Sequence, residues 1–274
     1  MAIDKIAFEF VPKKVSEEEL IDLFLDKFLQ NNKRTDLAPF QNVLNPYSKR
    51  NLGRYEGVYF SKMIRREELK LTRLGKPGDV DVLLVPYQGT NIFFEESAAF
   101  EVKVVRPTID NPNRNANSFG RTQIKGLIED GFPLIGLIHV CVPEPLPPEF
   151  RTEIMAVKSP LNIHVPNGNK EFNPDDFDLI TYDWFPGAMV DKQMQRLLSF
   201  KLPRFVGLLC FALSFNRYDE VQMIKSMLFL TLEKGSFNTK VRKDTIEKIK
   251  QHFTTNRVKR YTKVRFIDRR KKGK

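Results

Sequence analysis

Cysteine is nearly absent from this chain: two residues, Cys141 and Cys210, in 274. Both sit in apolar stretches without a metal-ligating neighbour. That excludes a disulfide-stapled scaffold and a zinc cluster, and reads as buried free thiols in a reducing compartment. Histidine is scarce too. His139, His164 and His252 are scattered, with no zinc spacing and no Ser or Cys triad context, and His139 in its apolar run reads as a structural histidine. The apolar run at residues 205–215 falls well short of the ~20 residues that span a bilayer. Residues 1–14 lack the apolar core of a secretory leader. No Gly-rich phosphate loop, helicase motif or internal repeat is present. The expectation is a cytoplasmic protein, nuclear in a eukaryotic cell, with no membrane among its partners.

Positive charge is what the chain has in excess. The net charge is +11, and residues 257–274 carry ten Lys or Arg against one Asp, so the rest is close to neutral. Tyr261 and Phe266 interleave with these cations. Such a segment suits a nucleic-acid backbone, with Arg269, Arg270, Lys271 and Lys272 as its densest run; a solubilising tail is the competing reading. Val264, Phe266 and Ile267 could instead pack on the body as a strand.

Buried acids are the second excess. Residues 78–85 read Gly-Asp-Val-Asp-Val-Leu-Leu-Val and residues 99–105 read Ala-Phe-Glu-Val-Lys-Val-Val. Both are short, rich in Val and Leu and without a helical period, the signature of buried strands. Charges in such strands are costly unless they do chemistry. Side chains alternate along a strand, so Glu101 and Lys103 share a face, as do Asp79 and Asp81. If the strands are neighbours, carboxylates and one ammonium converge. Hard cations such as Mg²⁺ prefer such oxygens, and a bound ion can stabilise charge on a phosphate or acidify a water. Lys103 could position that water or neutralise the transition state. A hairpin with a structural Asp81–Lys103 ion pair is the plainer alternative. A second Glu-x-Lys, Glu68-Leu-Lys70, lacks a strand-borne Asp before it.

The Gly-acid-hydrophobic-Asp strand followed by Glu-x-Lys resembles the PD-(D/E)xK nuclease superfamily, which includes restriction endonucleases and Holliday-junction resolvases. The resemblance covers residues 55–142. It departs from the family name in having no Pro-Asp pair, which favours Asp81 over Asp79 as the metal ligand. It implies a restriction-endonuclease-like α/β (α+β) core: a central four-stranded mixed sheet flanked by helices. It implies hydrolysis of phosphodiester bonds, of double-stranded DNA before other nucleic acids, in restriction, repair or anti-phage defence. The implied cofactor is Mg²⁺, with Mn²⁺ as a substitute, and the implied ligand set is Asp81, Glu101, Val102 and a helix-borne Glu56. A solvated surface charge is the other reading of Glu56. A nuclease-like fold that binds nucleic acid or protein without cleaving is the competing function.

The flanks extend the reading. Residues 55–69 read as a helix, with Val58, Tyr59 and Met63 on one face, which would put Arg54, Arg65 and Arg66 near phosphate. Residues 106–118 hold Pro107, Pro112 and four Asn, a loop. Residues 119–130 read as a helix capped by Ser118, striped by Ile124, Leu127 and Ile128 and stopped by Gly131. Gln123 lies on the border of that stripe, where it could touch a metal-bound water or a phosphate. Arg106, Arg114, Arg121 and Lys125 are candidates for holding a nucleic-acid backbone. Residues 134–142 are a further buried strand, and residues 68–73 are the remaining strand of the expected four.

Elsewhere, residues 16–31 form a helix opened by a Ser16/Glu19 capping box. Weak strand signals occur at residues 162–165 and 178–182. Helices are expected at residues 190–201, 204–215, 218–234 and 238–253. The expected organisation is an N-terminal helix and loop (1–50), the nuclease-like core (51–165), a C-terminal helical extension (166–256) and the basic segment (257–274). The helical extension could buttress the sheet, clamp DNA, or hold a second copy or a partner protein.

Overall fold

The apolar runs without a helical period form the middle of one large mixed sheet. In the computed structural model, which describes residues 15–30, 34–35, 40, 43–47, 54–71, 79–112, 120–157, 177–215, 221–224 and 232–266, these runs are β4 (Val80–Gln88), β6 (Ala98–Val105) and β7 (Leu134–Cys141). The remaining strands are β1 (Leu29–Gln30), β2 (Arg34–Thr35), β3 (Gly57–Ile64), β5 (Asn91–Ile92), β8 (Thr152–Val157), β9 (Phe177–Tyr182), β10 (Val206–Phe215), β11 (Val221–Ile224), β12 (Leu232–Glu233) and β13 (Thr262–Phe266). The main sheet runs β1-β2-β13-β3-β4-β6-β7-β10-β11, with β5 beside β4 and β12 beside β10; β8 and β9 form a separate antiparallel ribbon. β3, β4 and β6 are antiparallel neighbours, whereas β7 and then β10 join in parallel.

Among the described residues four helices cover this sheet: α1 (Glu17–Phe28), α2 (Arg121–Asp130), α3 (Phe185–Ser199) and α4 (Lys243–Arg260). Ile124 and Leu127 of α2, Met189 and Met194 of α3, and Ile249 and Phe253 of α4 pack with Leu83, Ala99 and Ile135 on one face. Leu20 and Ile21 of α1 pack with Val82, Phe100 and Ile138 on the other. α1 begins as its capping box requires: Glu19 N–H donates to Ser16 Oγ at 3.1 Å, and Ser16 N–H donates to Glu19 Oε2 at 2.7 Å. Among the described residues no helix is long and apolar enough to cross a membrane.

Several expected helices are strands. Residues 57–64 form β3: Val58 and Phe60 point to one core and Tyr59 to the other, a period of two. Residues 206–215 form β10, flanked in the sheet by β7 and β11; a strand buried on both faces reads as one continuous apolar run. Within residues 218–234 the described parts are β11 and β12. The basic segment opens as the end of α4 and continues as β13, paired with β3. The chain beyond residue 157 therefore completes the sheet, and its helices buttress it. Among the described residues the sheet has eleven strands where four were expected: β4, β6 and β7 are three of those four, β3 takes the place of the expected helix, and the described part of the strand expected at residues 68–73 is turn and not strand. Residues 162–165 lie outside the described residues.

Cys141 and Cys210 are free and buried, their sulfurs 3.8 Å apart across β7 and β10. Burial pushes the Cys210 thiol upward, which keeps it unreactive.

Candidate active site

Asp81 and Glu101 meet because β4 and β6 run antiparallel with Val82 opposite Phe100. One further step places Asp81 opposite Glu101, and there the ladder stops. Asp81 Oδ2 accepts the backbone N–H of Val102 at 2.7 Å, taking the bond a strand carbonyl would hold. The other side of β4 is irregular at the same level. Lys62 pairs with Val82 and Ile64 with Val80, so Met63 stands opposite Asp81, and Met63 has a left-handed φ of +46°. Such backbone is strained for a non-glycine residue and concentrates at functional sites. Arg260 donates to the Met63 carbonyl at 3.1 Å and holds the distortion.

The acids are deeply buried: Asp81 is 5 % exposed and Glu101 1 %. Lys103, two residues along β6 on the face of Glu101, puts its ammonium 2.8 Å from Glu101 Oε1. The second oxygen, Glu101 Oε2, is buried and has no hydrogen-bond partner. Burial pushes the Asp81 carboxyl up to about 6, against the pull of Lys103 and the Val102 N–H. Burial and the Asp81 charge push Glu101 up to about 8. Burial opposes the Lys103 charge, but the Glu101 and Asp81 carboxylates outweigh it and hold the ammonium above its ordinary value. One ammonium does not balance two buried carboxylates, so both acids are held above their ordinary range.

Two elements close over this cluster. Gly120, the N-terminal boundary of α2, has φ +74°. A Cβ there would lie 2.8 Å from Leu137 Cδ1, 3.1 Å from Glu101 Cγ and 3.4 Å from Lys103 Cγ. Glycine is required on both counts. The helix begins at Arg121 with Gly120 at its N-cap position; Ser118, the expected cap, lies outside the described residues. Gln123 follows in the first turn of α2, its Oε1 buried and unpartnered. From the opposite side, the first turn of α1 brings Glu17 Oε2 to 3.3 Å from Lys103 Nζ. Arg106 donates to the carbonyl of Val15 just ahead of that turn.

Glu17 therefore stands where Glu56 was expected. Glu56 precedes β3, accepts the Gly89 N–H at 3.1 Å and pairs with Arg265. Gly57 is opposite Tyr87, six residues along β4 from Asp81, or roughly 20 Å at the rise of a strand. Glu56 is thus no ligand to this centre. The sequence signal for Glu17 was the acidic opening turn of α1. Arg66 is also reassigned: it forms a buried ion pair with Asp130. Arg54 pairs with Glu96.

The remaining expected contacts divide. Arg121 and Lys125 are exposed on α2, one turn apart; Arg121 stacks over Phe200, 5.8 Å from the ring centre. Arg106 is half-buried and donates to the Val15 carbonyl. Arg114, Arg269, Arg270, Lys271 and Lys272 lie outside the described residues. His139, the cross-strand neighbour of Lys103, is satisfied as a structural histidine: its Nδ1 is 2.7 Å from Gln193 Nε2, whose Oε1 accepts from Arg196.

The donor set fits a hard divalent cation. Asp81 and Glu101 supply carboxylate oxygens, one of them unpartnered. The Val102 carbonyl leaves β6 on the same edge as the N–H that reaches Asp81. Among the described residues no group of three His, Cys, Asp or Glu side chains is gathered for an ion. An ion held here would keep several waters, the usual state of Mg²⁺. No protein-family model matches the chain, and no curated protein and no solved structure matches it.

Proposed function

We propose that this protein is a metal-dependent nuclease that hydrolyses phosphodiester bonds, with double-stranded DNA as the first substrate to test. The observation that carries this is the facing pair of buried acids, Asp81 and Glu101, with one Glu101 oxygen unpartnered and Lys103 beside it. A purely structural ion pair has no use for a second buried carboxylate, whose isolation from water is costly.

In this reading Asp81, Glu101 and the Val102 carbonyl hold Mg²⁺ or Mn²⁺. A divalent ion there stabilises charge on a phosphoryl oxygen and lowers the pKa of a bound water. Lys103 faces the same space and neutralises charge as it develops on the phosphate. Gln123, three residues after Gly120 and with a buried, unpartnered amide oxygen, is the group assigned to orient a water. Gly120 allows α2 to sit on the acids, limiting solvent access.

Element order also supports the reading. Strands β4 and β6 (with the two-residue β5 between them), helix α2 and parallel strand β7 come in the order that the resemblance to PD-(D/E)xK nucleases implies, whereas β3 stands where its first helix was expected. The test is incubation of the purified protein with plasmid, linear duplex and single-stranded DNA and RNA, in Mg²⁺, Mn²⁺ or EDTA. Metal-dependent cleavage lost in Glu101→Gln supports the assignment. A well-folded protein that binds nucleic acid and cleaves none of it favours the alternative, a silent nuclease-like binding module.

A further inference from the structure

Two cations near the edge of the main sheet rest on aromatic rings in place of carboxylates. Arg257, at the end of α4, donates to the Tyr59 hydroxyl and lies over the Tyr59 ring, 4.8 Å from its centre, and 5.5 Å from that of Phe253. Lys263 of β13 lies 4.4 Å from the centre of the Tyr87 ring and 5.8 Å from that of Tyr59. Their basic neighbours differ. Arg260 is paired with Glu68 and Arg265 with Glu56. Among the described residues neither Arg257 nor Lys263 is within ion-pair distance of a carboxylate. A ring orients a cation without cancelling its charge, so these two remain available to an anion.

We propose that Arg257 and Lys263 form a preorganised phosphate-contact strip for the backbone of double-stranded nucleic acid. The substrate class rests on the nuclease reading; the strip itself rests on the cation–ring geometry. Both residues are exposed, whereas the rings beneath them are not: Tyr59, Phe253 and Tyr87 are 4 %, 2 % and 0 % exposed. Proteins that hold single strands expose aromatic platforms on which bases stack. Here the rings are covered and only charge faces outward, which suits a duplex read by its phosphates. Glu56, which pairs with Arg265, feels the Lys263 charge but is not within ion-pair distance of it, and no acidic residue occurs in the sequence from residue 248 to residue 266.

Position agrees with this. Tyr59 and Tyr87 belong to the face of the sheet from which Glu101 and Lys103 project. Lys263 pairs with Tyr59, and Tyr59 with Val85. That sets Lys263 two strands across and four residues along from Asp81, about 17 Å away at usual strand spacings. A duplex rises ~3.4 Å per base pair, so one helix can reach both places within about five base pairs.

The test measures binding in EDTA, where no cleavage is needed, by anisotropy of a labelled duplex of about twenty base pairs across a salt series. The double substitution Arg257→Gln/Lys263→Gln should weaken binding and flatten the dependence of log Kd on log salt by about 1.8, two contacts at ~0.9 each. Arg257→Lys, which keeps a cation over the ring, should keep the slope. Lys234→Gln/Lys240→Gln, with the same loss of charge elsewhere, should keep it as well. If the first double variant does not melt like the wild type, Lys263→Gln alone should lower the slope by about 0.9. An unchanged slope in the well-folded variant overturns the strip, and so does an equal loss in the Lys234/Lys240 control. Tighter binding of a single strand, or binding of anionic vesicles without duplex, overturns the assignment to a duplex. Cleavage with an unaltered salt slope would leave the nuclease reading standing and remove the strip.

Discussion

The ammonium of Lys103 lies 2.8 Å from Glu101 Oε1, while Glu101 Oε2 stays buried without a partner. One half of the carboxylate is balanced and the other is not. Asp81 stands opposite, drawn into the strand edge by the Val102 N–H. This asymmetry separates a site with capacity for a cation from a closed salt bridge, which would satisfy both oxygens.

Lys103 should act in the chemical step. It is largely buried, so it makes a poor general phosphate contact, and it faces the acids. Lys103→Ala is expected to lower kcat by ~10²-fold or more, the scale of one preorganised electrostatic group, with KM and metal affinity little changed. Steady-state kinetics at saturating Mg²⁺ checks this. Equal losses in binding and in rate would assign Lys103 to holding the backbone.

Gly120 should tolerate no side chain. Gly120→Ala meets Leu137 at 2.8 Å and Glu101 at 3.1 Å from a left-handed backbone. The conformation costs ~1–2 kcal/mol and overpacking a further ~1–3 kcal/mol. Chemical denaturation should show a loss in that range, with activity reduced even where the variant is folded. A stability equal to wild type would mean that α2 can move away from the acids.

Without metal, stability should depend on pH in a defined direction. Burial and Asp81 raise Glu101 from 4.5 to about 8 in the folded state, so folding favours the protonated acid. That contribution is complete below the unfolded value of 4.5 and is lost as pH rises through about 8. The metal-free protein should therefore melt higher near pH 7 than near pH 9, and Glu101→Gln should remove most of the difference. His252 opposes this at lower pH. Burial lowers its pKa from 6.5, so stability falls as pH drops below 6.5 and the unfolded chain takes up the proton. Melting curves in EDTA across this range decide it; a Glu101→Gln profile identical to wild type would contradict the assigned burial cost.

What the sequence made legible follows from how strongly each segment is specified. β4, β6 and β7 are short, β-branched and buried, and their acids stood out because nothing in such a strand favours a charge. The capping box located α1, and a stripe with a glycine stop located α2. β3 was misread because Val58, Tyr59 and Met63 also fit one face of a helix; the true period of two is broken by the left-handed Met63, after which Ile64 turns to the other core. β10 is ten residues with Ser214 its one polar side chain, and periodicity cannot separate a doubly buried strand from a buried helix. Glu17 opens α1 and Glu56 precedes β3, and only the packing of α1 against the sheet decides which reaches Lys103. Gly120 and the aromatic support of Arg257 and Lys263 depend on contacts far apart in sequence.

Calorimetric titration of the purified, metal-free protein with Mn²⁺ tests the central claim most directly. One strong site per chain is expected in the wild type, weakened at least tenfold or abolished in Asp81→Asn and in Glu101→Gln, both folded by circular dichroism. Binding that is absent from the wild type, or unchanged in both variants, would contradict a metal centre at Asp81 and Glu101.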